Sequence, residues 1–193
     1  MKIFRHDIIN YLIERYNYKS YLEIGVRNPE HNFDRIKVTD KDGVDPAPRK
    51  PCKYIMTSDD FFKNNEKTYD IIFIDGLHLD YQVVKDVNNS LNFLNENGTI
   101  VMHDCNPIDK RHQVEKYTGG TWNGTVWKAY TEFRMTRPDL FMVVINTDHG
   151  VGIVRKGGQR LFPKPEKLGY KFLSENRKKL LNLITYEEFK QMI

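Results

Sequence analysis

Cysteine is scarce in this chain. Cys52 and Cys105 are too few for a disulfide framework, and a reducing, cytoplasmic setting is what such a count predicts. No run of about 18 apolar residues occurs, which excludes a hydrophobic membrane-spanning helix. The opening Met1-Lys2-Ile3-Phe4-Arg5-His6-Asp7 lacks the apolar core of a secretory leader, so export by that route is not expected. Neither sign of charge dominates, with 30 Lys and Arg against 26 Asp and Glu and a net charge of +4. The densest basic cluster, Arg177-Lys178-Lys179, falls in a helical pattern and reads as a solvated helix face. Nucleic acid is therefore not an expected partner. Repeats, low-complexity tracts and linkers between composition regimes are also missing. What is left is a chain of 193 residues with 39% hydrophobic residues, expected to form one globular domain over residues 1–193.

Hydrophobic spacing supplies the elements. Ile8, Ile9, Leu12, Ile13 and Tyr16 share a helical face, which predicts a helix over about 3–17. Tyr21 to Gly25, Gly43 to Asp45 and Lys53 to Met56 read as three short strands. Thr57 and Ser58 stand where a helix N-cap belongs, ahead of Phe61 and Phe62. Tyr69 to Ile74 is a continuous β-prone run, suited to a strand buried on both faces. Val84, Val87, Leu91 and Leu94 continue as an amphipathic helix that Asn97-Gly98 stops, and Thr99 to Met102 is the next strand. Strand, helix and strand in this order predict parallel βαβ units. A polar loop with Gly119 and Gly120 follows, then a helix around Trp127 to Phe133. Leu140 to Ile145 and Val151 to Val154 flank a turn, as an antiparallel hairpin would. A helical tail over about 166–193 closes the chain, its second helix opened by the capping box Thr185-Tyr186-Glu187-Glu188.

In open α/β sheets ligands bind beyond the carboxyl ends of the strands. Those ends here carry Gly25, Asp45, Thr57-Ser58, Asp75-Gly76 and His103-Asp104. Asp45 lies twenty positions after Gly25, a spacing that suits a carboxylate gripping a ribose diol; the alternative is a turn aspartate before Pro46. Val26-Arg27-Asn28-Pro29-Glu30 follows Gly25, so the glycine-rich fingerprint of a pyrophosphate cradle is absent. A nucleoside ligand without pyrophosphate fits better.

Four segments in order carry a resemblance: Leu22-Glu23-Ile24-Gly25-Val26, Gly43-Val44-Asp45-Pro46, Ile74-Asp75-Gly76-Leu77-His78, and Gly98 to His103-Asp104. With Trp122 to Lys128 and His149 to Ile153, they make residues 20–157 resemble the class I S-adenosylmethionine (SAM)-dependent methyltransferases, in particular the small methyltransferase 24-like group. The resemblance implies an α/β, Rossmann-like fold: a seven-stranded, mostly parallel sheet with helices on both faces and an antiparallel last strand. It implies that Glu23 and Gly25 line the methionine moiety of SAM and that Asp45 binds the ribose. Thr57, Ser58 and Asp59 would flank the adenine, with Asp75, Gly76 and His78 beside the methyl group. Asn28-Pro29 departs from the pattern, since relatives often carry further glycine there.

Methyl transfer to a hydroxyl requires acceptor deprotonation by a base or a Lewis-acidic metal. Asp75, His78, His103 and Asp104 offer both. Either histidine could be the base, and Asp75 and Asp104 could hold Mg²⁺. Cys105 stands where metal-dependent relatives often carry Asn or Asp, and sulfur is a poor ligand for a hard ion. The Asn/Asp-Pro-Pro-aromatic motif of base N-methylation is missing after the fourth strand, and no Pro-Cys pair occupies the loop that pyrimidine C5 methylation needs. Trp127, in helical spacing with Tyr130, reads as core; Trp122 is the better substrate contact. The expected activity is SAM-dependent O-methylation of a small or terminal acceptor, first of all a glycan sugar, with S-adenosylhomocysteine as product. Two alternatives stay open: a nucleotide-dependent oxidoreductase and a non-catalytic binding module of the same fold. The C-terminal helices could complete the core, cover the site or form a homodimer contact.

Overall fold

Alternation along the strands decides the layers. In β1 (Ser20–Ile24) Tyr21 faces one way while Leu22 and Ile24 face the other. In β3 (Tyr69–Ile74) Ile71 and Phe73 are set against Ile72 and Ile74. In β4 (Leu94–Met102) Val101 is set against Ile100 and Met102. Both faces are apolar, so both must be covered. On one face lie α1 (Arg5–Tyr16) and α6 (Tyr186–Met192), which bury Ile8, Ile9, Leu12 and Phe189. The other face carries α2 (Ser58–Asn64), α3 (Asp80–Asn92), α4 (Val126–Thr136) and α5 (Tyr170–Leu180). This computed structural model describes residues 2–193.

The sheet has seven strands in the order β2-β1-β3-β4-β6-β5-β7, completed by β2 (Asp40–Val44), β5 (Leu140–Ile145), β6 (Val151–Lys156) and β7 (Leu183–Ile184). The pairs β1–β2, β1–β3, β3–β4 and β5–β7 are parallel. Only β6 runs against its neighbours β4 and β5, as the second arm of the hairpin. The fold is therefore the Rossmann-like α/β arrangement expected from the sequence, except that the antiparallel strand is β6 and the last strand, β7, runs parallel to β5. Among the described residues no helix is long and apolar enough to cross a membrane.

Several boundaries differ from the sequence pattern. Lys53 to Met56 is not a strand: Tyr54 alone bridges Val44, through Tyr54 N–H to Gly43 O at 3.0 Å and Asp45 N–H to Tyr54 O at 3.1 Å. Tyr54 packs on Phe61 of α2, but Ile55 is 62% exposed, so only one side of the segment is covered. The α3 helix ends at Asn92, and Leu94 begins β4 instead of closing the helix. Pairing steps from Tyr69↔Leu94 to Ile71↔Thr99, which leaves residues 95–98, with Asn97-Gly98, inside an irregular strand. Asn28-Pro29 opens a 3-10 turn, Pro29–His31, because proline is favoured at the first helical position. The basic cluster divides as well. Lys178 and Lys179 are exposed, but the Arg177 guanidinium donates to Pro107 O at 2.8 Å and to Asn106 Oδ1, and so straps α5 to the loop after β4. The tail helices form where expected, with the Thr185/Glu188 capping box closed by bonds of 2.6 and 3.1 Å.

Trp127 is fully buried and its Nε1 donates to Gln113 Oε1 at 3.2 Å. Replacing a buried aromatic leaves a cavity, so Trp127→Ala is expected to lose about 3–5 kcal/mol of unfolding free energy. Chemical denaturation measures this, and a loss below about 1 kcal/mol would remove Trp127 from the core.

Candidate active site

The parallel strands β1 to β4 deliver their carboxyl ends to one edge, and an open cleft of about 1390 Å³ lies there. Every cofactor-site residue expected from the sequence lines it: Glu23, Gly25, Asp45, Thr57-Ser58-Asp59, Asp75-Gly76 and His78. Gly25 is required by geometry. Its φ is +92°, and a Cβ there would lie 2.3 Å from Asp75 O, so only glycine lets the end of β1 pass the end of β3.

At the β2 end, Asp45 is 7% exposed. Its Oδ2 accepts from Arg27 N–H and its Oδ1 from Ala47 N–H, both at 2.8 Å. It thus closes the local turn and lines the cleft at once, and each carboxylate oxygen keeps a further lone pair. Glu23, on β1, is also buried. Asn32 Nδ2 donates to Glu23 Oε2 at 2.8 Å, and so does the Tyr21 hydroxyl. Burial pushes the Glu23 carboxyl up to about 8, against these two hydrogen bonds that favour its charged form. Thr57 caps α2, its Oγ1 accepting from Asp60 N–H at 3.1 Å, as the sequence suggested. Asp59 is exposed and held by Gln82 Nε2 at 2.9 Å and Lys85 Nζ at 3.2 Å.

The other end of the cleft gathers the four residues expected to act in catalysis. Asp75 Oδ1 lies 3.2 Å from both His78 Nε2 and His103 Nδ1. Asp104 Oδ2 lies 3.3 Å from His78 Nδ1 and 3.2 Å from His103 Nδ1. Asp104 turns its carboxylate into this group through a left-handed backbone, φ +61°, and Asn123 Nδ2 donates to its Oδ1 at 2.9 Å. Burial alone would raise Asp75, but the two imidazoles outweigh it and hold the carboxyl well below the usual range. Burial alone would lower both histidines. Asp75 and Asp104 reverse this and keep His103 well above, and His78 above, the ordinary imidazole value.

Arg5, Asp148 and His149 join this end although the sequence gave them no role. Arg5 Nη1 reaches Asp148 Oδ2 at 3.0 Å and the Arg5 N–H reaches the same oxygen at 2.9 Å. Asp148 Oδ2 lies 3.6 Å from His103 Nε2. His103 is therefore enclosed by three carboxylates, while His78 touches two and is the more exposed. Arg5 sits on α1 and Asp148 in the hairpin turn, so no local spacing could have linked them to β3 and β4.

Trp122 also lines the cleft. Its ring stacks on His78 at 4.8 Å with 19° between planes, Tyr117 meets its edge at 5.7 Å, and its Nε1 donates to Val114 O at 2.6 Å. Gly124 makes this approach possible, since a Cβ there, at φ +58°, would lie 2.0 Å from His78 O. The next residue, Thr125, donates its N–H to His78 O at 2.8 Å and caps Asp80 N–H with Oγ1 at 2.8 Å. Cys105 is fully buried, outside the cleft lining, with burial pushing its thiol up, so it offers no ligand to this group.

Residues 24–105 match a family described as a methyltransferase domain. Solved structures share the fold. An S-adenosylhomocysteine-bound methyltransferase from Podospora anserina, PaMTH1, superposes with a TM-score of 0.59 at 18% identity over 79% of this chain and 78% of that one. The cofactor-bound Rv0187 protein from MTB gives 0.56 at 13% identity over 79% of each chain. The O-methyltransferase TomG from Streptomyces achromogenes, solved with SAM, gives 0.53 at 10% identity over 78% of each. No curated protein sequence matches this one significantly. The chain has a methyltransferase fold.

Two observations test what this methyltransferase fold can hold. Asn28 Oδ1 and Asn32 Oδ1 are buried acceptors without partners, and both residues line the cleft with Glu23. Two such acceptors, with the Glu23 carboxyl beside them, suit an ammonium group, as in the methionine part of SAM. One oxygen each of Asp75 and Asp104 and one nitrogen of His78 lie within 4.8 Å of one another, a donor set that a divalent cation can use. The sequence named only the two aspartates.

The raised Glu23 carboxyl sets a sign. The folded chain binds this proton more tightly than the unfolded chain, so Glu23 makes stability fall as pH rises from its ordinary 4.5 to about 8. Melting temperatures across that window should decline less for Glu23→Gln than for wild type. Parallel curves would mean that Glu23 is not buried in its neutral form.

Proposed function

We propose that this chain is a SAM-dependent methyltransferase that methylates a hydroxyl of a small or terminal acceptor, and that a sugar of a glycan is the acceptor class. The observation that carries the reading is the single cleft in which a buried ribose-type aspartate and a paired carboxylate–imidazole group face the same space.

SAM, when bound, supplies an electrophilic methyl group on a sulfonium leaving group. Asp45 takes the ribose diol, and Glu23 with Asn28 and Asn32 takes the methionine ammonium. Thr57, Ser58 and Asp59 bound the adenine end, and Gly25 and Gly76 let backbone lie close to the ligand. At the far end, the His78 imidazole accepts the acceptor hydroxyl's proton. Asp75, at 3.2 Å from Nε2, stabilises the resulting charge. His103 keeps its proton between Asp75, Asp104 and Asp148 and fixes the two strand-end carboxylates in place. A divalent ion such as Mg²⁺ would be held by Asp75, Asp104 and His78 and would supply Lewis acidity to the hydroxyl instead. Trp122, with Tyr117 at its edge, offers an aromatic wall suited to the C–H face of a sugar ring.

Calorimetry with S-adenosylhomocysteine should show binding by wild type and a loss of about tenfold or more for Asp45→Ala, which removes charge-assisted hydrogen bonds. Binding of NAD without S-adenosylhomocysteine would sink the proposal. With a hydroxylated acceptor in hand, His78→Ala should lower kcat by about 100-fold or more with cofactor affinity little changed. Equal losses in both would make His78 structural. EDTA in the same assay decides between the base and the metal: full retained activity assigns deprotonation to His78.

A further inference from the structure

We propose that the surface formed by residues 160–179 and the neighbouring Ile108 docks on an anionic lipid bilayer. The proposal is independent of the methyl-transfer reading and goes beyond it. Between Arg160 and Lys179 the chain carries seven Lys and Arg against two acids, Glu166 and Glu175, leaving 23 of the 30 basic and 24 of the 26 acidic residues for the rest. The positive excess of the chain is therefore local to this segment. The fold then fixes the segment as one surface. Ahead of α5 it is tied to the end of α4: Phe162 N–H donates to Arg134 O at 2.9 Å, and Gln159 Nε2 donates to Arg137 O at 2.7 Å. The Phe162 ring meets Phe172 of α5 edge-on at 6.1 Å, and both pack against the core. Arg160, Lys164, Lys167, Lys171, Lys178 and Lys179 are left exposed. Among the described residues, only Lys171 of these six has a carboxylate within reach, Glu175 Oε1 at 4.0 Å on the next turn.

Cations without internal partners attract an anionic partner, and two further features select a bilayer. Apolar side chains stand among the charges: Leu161 is 38% and Ile108 74% exposed. The Tyr170 hydroxyl donates to Ile108 O at 2.7 Å, which holds Ile108 at the start of α5, next to Lys171. Such a mixture suits a headgroup layer, where ammonium groups meet phosphates and apolar groups reach the acyl boundary. Five of the six exposed cations are lysines, flexible point charges that follow moving headgroups; nucleic-acid recognition favours the rigid fork of arginine. The surface also borders the cleft. The Arg177 guanidinium bonds Asn106 Oδ1 and Pro107 O, on the loop that leaves Asp104. A chain docked on this face has the carboxylate–imidazole end of its cleft close to the bilayer.

The test is co-sedimentation of the full chain with phosphatidylglycerol-rich vesicles and with pure phosphatidylcholine vesicles. Wild type should bind the first and not the second, and added salt should weaken binding. A lysine near an anionic surface adds about fivefold in affinity, so the combined Lys164→Ala, Lys167→Ala and Lys171→Ala variant should lose about 100-fold. Lys37→Ala and Lys63→Ala, exposed lysines outside this segment, should change little. Ile108→Ser, which leaves every charge in place, should lose about fivefold or more. All these positions are exposed, so melting temperatures should stay near wild type. No binding by wild type, equal binding to both vesicles, or a triple variant that binds like wild type overturns the proposal. So does unchanged binding by Ile108→Ser. Tighter binding of wild type to heparin or duplex DNA than to the anionic vesicles, at the same salt, overturns it in favour of a soluble polyanion.

Discussion

Three carboxylates that converge at one end of a sheet set the constraint on which the rest of the structure depends. Asp75, Asp104 and Asp148 come from β3, β4 and the hairpin turn, and like charges so close cannot stay ionised without cations among them. His103 lies within 4 Å of all three, and Arg5 and His78 complete the balance. The arrangement ties α1 to the hairpin and the hairpin to the central strands, so the chemistry-bearing edge and the packing of the N-terminal helix are one problem. A site built this way holds its charges in advance of any ligand, which is what electrostatic catalysis asks of a protein.

The two ends of the cleft solve opposite electrostatic problems. At the far end, excess negative charge is compensated by the protein's own imidazoles and guanidinium. At the Glu23 end, the carboxyl has neutral hydrogen-bond partners, Tyr21 and Asn32, and burial raises it to about 8. A cationic ligand is the group that would change this. One end is finished by folding, and the other is suited to being finished by what binds.

Much of the fold was legible because its cause is local. The continuous apolar run of β3 dictates a strand buried on both faces, and the helical spacing in α1 dictates a helix covering one of them. Errors arose where pattern and pairing compete. Leu94 continues the helical spacing of α3 but pairs with Tyr69, and strand pairing wins because the backbone groups after Asn92 find partners there. Tyr54 and its neighbours have strand-like side chains, yet nothing covers Ile55, and one bridge is all that forms.

The sequence by itself determined the strand ends and what stands on them: Gly25, Asp45, Asp75-Gly76 and His103-Asp104. It could do so because a strand's end is marked by the residue that breaks an apolar run, and a parallel sheet puts all such ends on one edge. Only the tertiary structure decided how those residues divide their work. Arg5 and Asp148 lie 143 residues apart in the chain and meet through the packing of α1 against the hairpin. Charge and hydrogen-bond partners are properties of neighbours in space, and no spacing along the chain records them.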